Sequence, residues 1–242
     1  TISELSVLIK GEANTQIRLT VLRGQERKEF TVTRKAFQTP VATARMLEGN
    51  IGLITIENFD ERCAQETIAA IEELTAQGAE ALIFDVRNNP GGYANELVKV
   101  LDYILPKGDL FRTVDYRGVE DVDKSDARCI EGVPMAVLVN GDSYSAAEFF
   151  AAALQEYGAA TIIGEKTSGK GYFQTTLKLD DGSAVGLSVG KYYTPKGVSL
   201  ADTGVTPDIL LPMDAEMALQ LYYDRLDPME DIQIQAALEA LK

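Results

Sequence analysis

The chain contains no histidine and no tryptophan, only two cysteines, and no run near 18 consecutive apolar residues. Each shortage excludes something. Without histidine there is no Ser-His-Asp triad and no His-ligated metal. Acid–base chemistry near neutral pH then falls to Lys, Asp, Glu, Tyr or Cys with a shifted pKa. Asp and Glu alone could hold Mg or Ca, but no D-x-D-x-D-G loop is present. Cys63 and Cys129 form no C-x-x-C pattern, which removes a zinc or redox motif. They read as small buried apolar groups, with a single disulfide as the alternative. No segment reads as a membrane span, and the first thirteen residues, TISELSVLIKGEA, lack the basic start and apolar stretch of a signal peptide. Basic charge is also scarce: 23 Lys and Arg stand against 37 Asp and Glu, a net charge of −14. Clustered cations, the footprint of nucleic-acid binding, are absent, and the acidity reads as solubility.

What is present is an ordinary globular composition, 45% apolar and 25% charged over 242 residues. Residues 1–12 have an apolar helical face stopped by Gly11, and QIRLTVLRG followed by FTVTR predicts a hairpin. A helix and two strands are too small to hold a core. From about residue 50 the pattern changes. Strand NIGLITIENF, helix ERCAQETIAAIEELTAQG, strand ALIFDVR, helix ANELVKVLDYIL, strand PMAVLVN, helix AAEFFAAALQEYG and strand ATIIG follow in turn. That alternation predicts parallel crossovers and an α/β core. Residues 109–132 read as polar and irregular, residues after Lys170 as antiparallel strands, and the end from Asp214 as helical.

Chemistry in such cores collects at the carboxyl ends of the parallel strands. Three turns stand there. Gly141–Ser145 carries Ser143 and Ser145 just before a helix, whose free N–H groups suit an oxyanion; serine is equally a favoured N-cap. Asn88–Gly92 has two glycines that let main-chain amides approach a ligand, or form a plain loop. The third turn lies in Gly164–Gly171, G-E-K-T-S-G-K-G. It misses the phosphate-binding G-x-x-x-x-G-K-[ST] pattern because Gly171 replaces the hydroxyl residue, and a strand rather than a helix follows. What remains there is Lys170. A lysine can serve a serine as base when desolvation lowers its pKa from about 10.4 towards roughly 7–8. Ser-Lys pairs are a variant of triad logic.

Five ordered segments, DVRNNPGG (85–92), VNGDSYSAAE (139–148), GEKTSGKGYFQ (164–174), YYTPKGVSL (192–200) and GVTPDI (204–209), resemble those of the C-terminal processing peptidases, or tail-specific proteases. The resemblance implies an α/β core of the ClpP/crotonase-like kind, with mixed sheet and helices. It places the nucleophile on Ser145 rather than Ser143, the base on Lys170 and a lysine-orienting glutamine on Gln174. The oxyanion donors become the N–H groups of Ala146 and of either Gly91 or Gly92. In an active form, Lys170 Nζ should lie within about 3.2 Å of Ser145 Oγ. Some members have a catalytic aspartate at the position of Glu156; eleven residues along a helix is about 16 Å, so Glu156 reads as structural or substrate-facing.

The resemblance makes residues 1–36 the second half of a PDZ domain, 37–49 a linker, 50–213 the protease core and 214–242 a C-terminal helical segment. It puts the rest of the PDZ domain and a signal sequence or membrane anchor upstream. It implies protein or peptide substrates with flexible apolar C-termini, no nucleic acid, no cofactor and an extracytoplasmic, membrane-anchored site of action. A homo-oligomer and a regulatory adaptor remain open. Rival readings are a crotonase-type acyl-CoA enzyme and a catalytically dead peptide-binding scaffold.

Overall fold

The computed structural model describes residues 2–126, 130 and 132–242, except the side chains of Ile2 and Ser3. Cys129 lies outside the described residues. The chain divides into two compact units, Thr1–Pro40 and Val41–Lys242.

In the first unit, α1 (Ile2–Ile9) precedes an antiparallel hairpin of β1 (Gln16–Arg23) and β2 (Glu26–Thr33). Arg34 ties them together: its Nε donates to Ile9 O at 2.8 Å and one terminal nitrogen donates to Thr15 Oγ1 at 3.0 Å. None of the described side chains of residues 4–40 is buried.

The second unit is built on a six-stranded sheet in the order β12-β9-β8-β5-β4-β3. Its strands are β3 (Ala42–Leu47), β4 (Ile51–Ile56), β5 (Ala81–Asp85), β8 (Met135–Val139), β9 (Ala160–Gly164) and β12 (Ile209–Leu210). All pairs are parallel except β3 with β4. Both faces are covered, which is why the central strands read as continuous apolar runs. On one face Leu82, Phe84, Val137, Val139 and Ile162 pack with α2 (Cys63–Ala76), α3 (Ala94–Ile104) and α4 (Ala146–Tyr157). On the other, Ile83, Ala136, Leu138 and Ile163 meet Ile234 and Ala237 of α6 (Ile232–Ala240). Helix α5 (Ala215–Tyr222) lies between β12 and α6 in sequence.

Two expectations are corrected. The segment 37–49, read as linker, contains β3, the antiparallel edge strand of the sheet. The segment 109–132, read as irregular, contains β6 (Asp109–Asp115) and β7 (Glu120–Lys124). With β10 (Tyr172–Lys178) and β11 (Ala184–Tyr193) these form a second, antiparallel sheet in the order β10-β11-β6-β7. The strand β7 is almost wholly charged, EDVDK, and is held by cross-strand pairs such as Arg112–Glu120 at 2.8 Å, so it carries no apolar alternation to read.

Cys63 is a free thiol with no exposed surface. Burial pushes its pKa up to about 12, with Glu96, Asp60 and Glu66 adding to the effect and a hydrogen bond from Thr67 opposing it. The thiolate is the reactive form. Native protein at pH 8 is therefore expected to leave the Cys63 peptide unalkylated by iodoacetamide, and urea-unfolded protein to alkylate it fully, as read by mass spectrometry. Rapid native alkylation would contradict the burial.

Candidate active site

The three turns meet at the carboxyl ends of β5, β8 and β9. The first two are fastened side by side. Asn88 N donates to Asn140 Oδ1 at 2.9 Å, and Asn140 Nδ2 donates back to Asn88 Oδ1 at 2.8 Å. Tyr144 N donates to Asn89 O at 2.9 Å. Ser143 Oγ donates to Val86 O at 2.8 Å and accepts from Asn140 N at 3.0 Å, with no exposed surface. Ser143 is thus a fully engaged structural hydroxyl.

Ser145 is different. It is half-buried and stands at the N-cap of α4 with φ 53° and ψ −117°. An ordinary N-cap residue is extended. A positive φ at a residue with a Cβ is strained by about 1–3 kcal/mol and persists only where surrounding contacts enforce it. The sequence alone leaves the two serines equal; burial and backbone conformation separate them.

Beside Ser145 runs the glycine turn. A Cβ built on Gly91, at φ 87°, would lie 2.8 Å from Ser145 Cβ and 3.0 Å from Ala146 N. A Cβ on Gly92 would instead strike Phe59 O at 2.3 Å. Gly91 N donates to Asn89 Oδ1 at 2.8 Å. Among the described residues, neither Gly92 N nor Ala146 N has an acceptor. Ala146 N–H thus follows the strained serine directly, and Gly92 N–H follows Gly91, the glycine packed against it.

The third turn is joined to the second by Glu148, a residue the motif reading quotes without a role. Its carboxylate, with no exposed surface, accepts five hydrogen bonds. Ser145 N (2.8 Å), Lys170 N (2.9 Å) and Ser168 Oγ (3.0 Å) donate to Oε2. Thr167 Oγ1 (2.6 Å) and Gly169 N (2.7 Å) donate to Oε1. The spacing S145-A-A-E148 is a capping-box signature, which is the signal that could have found it. The last segment closes the ring: Val205 N donates to Thr167 Oγ1 at 2.7 Å, and Asp202 N to Gly169 O at 2.8 Å.

The main chains of Ser145 and Lys170 are thus brought together on one carboxylate. Lys170 is exposed, and no hydrogen bond links its Nζ to Ser145 Oγ or to Gln174. Gln174 is also exposed, at a register shift where β10 pairs with β11. Glu156 accepts from Thr194 Oγ1 at 2.6 Å and Lys196 N at 2.7 Å. It holds the turn of the YYTPKG segment.

Behind the first turn lies a buried ion cluster. Arg87 donates to Asp85 through Nε (2.9 Å) and a terminal nitrogen (2.6 Å), and pairs with Asp231 at 2.8 Å. Burial works against its charge; Asp85, and then Asp231, more than offset this, so its pKa is raised.

The peptidase family S41 model matches residues 50–211, two thirds of the chain and all three turns. The chain belongs to peptidase family S41. It is 31% identical over 246 residues to a carboxyl-terminal-processing protease of Synechocystis sp., covering 99% of this chain and 56% of that protein. It is 35% identical over 210 residues to the carboxy-terminal processing protease CtpA of Bacillus subtilis, covering 86% of this chain and 45% of that one. The S41 chain thus spans about half the length of these curated relatives. The solved structure of a photosystem II D1 C-terminal processing protease superposes with a TM-score of 0.66 at 31% identity, over 87% of this chain and 59% of that one. The expected mixed α/β core is therefore the fold of an S41 peptidase.

Proposed function

We propose that this S41 chain is a serine endopeptidase that cleaves protein substrates near their C-terminal tails through an acyl-enzyme on Ser145. The observation that carries the reading is the strained Ser145 at the start of α4, with unpaired N–H groups on Ala146 and on Gly92 of the glycine turn packed beside it. Strain and free donors at one point are costly to a fold and useful to acyl transfer. Gly92 rather than Gly91 is read as the second donor, because Gly91 N is already taken by Asn89. Gly91 contributes by having no side chain.

In this mechanism Lys170, as a neutral amine, takes the Ser145 proton while Oγ bonds to the scissile carbonyl carbon. The carbonyl electron pair moves to oxygen, facing Ala146 N–H and Gly92 N–H. Collapse breaks the C–N bond, and Lys170 returns the proton to the leaving amine. Water repeats the sequence on the ester, releasing the acid and restoring Ser145. Gln174 orients Lys170. No cofactor is needed.

The arrangement described is read as a resting one. Lys170 is exposed, and no hydrogen bond joins its Nζ to Ser145. Glu148 already fixes the main chain at both residues, so closure calls only for the Lys170 side chain to swing over Ser145. Catalytic hydrogen bonds are commonly long without substrate. The helix and hairpin of residues 1–36 are read as part of a PDZ domain that engages substrate tails, and the site of action as extracytoplasmic. No helix among the described residues is long and apolar enough to cross a membrane.

A fluorophosphonate probe is expected to label the wild type at Ser145, located by mass spectrometry, and not to label Ser145→Ala. Casein cleavage should fall by roughly 10⁴-fold or more in Ser145→Ala and in Lys170→Ala, as expected for members of one catalytic unit. Equal behaviour of all three proteins would favour a scaffold. An acyl-CoA enzyme of the crotonase type would have no need of either side chain.

A further inference from the structure

We propose that Asp231 and Gln233, near the C-terminus, are positioning residues for the reaction, acting through Arg87 on the turn that presents Gly92 N–H. The proposal rests on the serine-peptidase reading above and adds residues to it that lie outside the matched family segment, 50–211.

Arg87 sits where β5 becomes the glycine turn. Its neighbour Val86 gives its carbonyl to Ser143 Oγ, and its other neighbour, Asn88, holds a left-handed conformation (φ 58°) and pairs with Asn140. The guanidinium is held from two sides. Asp85, on its own strand, takes Nε and one terminal nitrogen. The other terminal nitrogen reaches Asp231 Oδ2 at 2.8 Å and Gln233 Oε1 at 2.9 Å. Asp231 and Gln233 are only 1% and 0% exposed, so these contacts are not diluted by water.

The two carboxylate oxygens of Asp231 do different things. Oδ1 caps α6, accepting from Gln233 N at 2.9 Å and Ile234 N at 3.2 Å, whereas Oδ2 faces Arg87. Gln233 also donates through Nε2 to Leu211 O at 2.7 Å, fastening the same helix start beside β12. The C-terminal segment is therefore a brace between the far edge of the sheet and the oxyanion turn. A cavity of about 620 Å³, lined by Asp85, Arg87, Asn88 and Asp231 among others, adjoins the brace. It leaves the guanidinium room to shift once Asp231 and Gln233 release it. Such a shift would be transmitted to Asn88 and the turn, where displacements of an ångström are costly to catalysis.

The division of labour in Asp231 makes the idea testable without losing the fold. Asp231→Asn keeps a good N-cap but removes the charge facing Arg87. Ile234→Ala truncates a buried side chain on the same helix and leaves the brace intact. In the 242-residue chain, Asp231→Asn and Gln233→Leu are expected to lower kcat and the fluorophosphonate labelling rate of Ser145 by about tenfold, with little change in KM, as for a misplaced donor. Amide exchange over residues 88–93 should rise in both. Ile234→Ala should lower Tm at least as much while keeping the labelling rate and the exchange pattern of the wild type. Wild-type labelling in Asp231→Asn, or equal losses in Ile234→Ala, would overturn the positioning role alone. No labelling of the wild type would overturn the serine reading, and this proposal with it.

Discussion

Replacing Glu148 by glutamine is expected to lower kcat by about 10²-fold or more while leaving KM nearly unchanged, the mark of misplacement rather than lost substrate contact. The change is one atom. Its effect follows from what surrounds that atom: five donors converge on the carboxylate, three of them main-chain N–H groups that cannot rotate away. Only an acceptor-only group, an ionised carboxylate, suits all of them. In the amide, one oxygen becomes an NH₂. If it faces Gly169 N, that donor meets a donor. If it faces the other side, Ser145 N and Lys170 N both do. A buried donor left unpaired costs about 1–3 kcal/mol. The cheapest relief is for the second and third turns to separate, which moves Ser145 and Lys170 apart.

A companion variant decides whether charge or span matters. Glu148→Asp keeps the charge but is one methylene shorter and cannot reach both turns in the same way. It is expected to be as impaired as the amide. Recovery of wild-type kcat in Glu148→Asp would mean that the negative charge alone suffices. Labelling rates measured well below Tm separate either outcome from simple unfolding.

The α/β core was legible because its central strands are buried on both faces and its helices are stopped by Gly78, Pro106 and Gly158. The strands β3, β6 and β7 were not. β3 is half-exposed at a sheet edge, ATARML, and β7 is acidic, so tertiary pairing rather than local pattern makes them strands. The site shows the same division. Turns at strand ends follow from the alternation of elements, and the lack of histidine narrows the acid–base groups to Lys, Asp, Glu, Tyr or Cys without choosing among them. The choice of Ser145 over Ser143 does not follow, because exposure and a positive φ are properties of the folded chain. Nor do the Asn88–Asn140 pair or the reach of Glu148 across 22 residues to Lys170: each joins segments distant in sequence.

Gly91→Ala is expected to reduce Ser145 labelling and peptide cleavage by about 10²-fold or more, out of proportion to any loss of stability. Two effects act together at this position. The backbone stands at φ 87°, where an L side chain is strained by about 1–2 kcal/mol. The added methyl would also lie 2.7 Å from Tyr144 O, 2.8 Å from Ser145 Cβ and 3.0 Å from Ala146 N. None of these is the free end of a flexible side chain. They are the main chain and the first side-chain carbon of Ser145, so relief must come by parting the glycine turn from the start of α4. That motion widens the gap between Gly92 N–H and Ala146 N–H, the two donors that would share one oxyanion. Gly141→Ala is the control. It lies in the same β8–α4 turn as Ser145, has no positive φ, and a Cβ there would meet nothing within 4 Å. Its activity should match the wild type. A Gly91→Ala protein that labels at the wild-type rate would show that the close approach of this turn to Ser145 is not what the chemistry needs. The oxyanion would then have to be held by α4 alone.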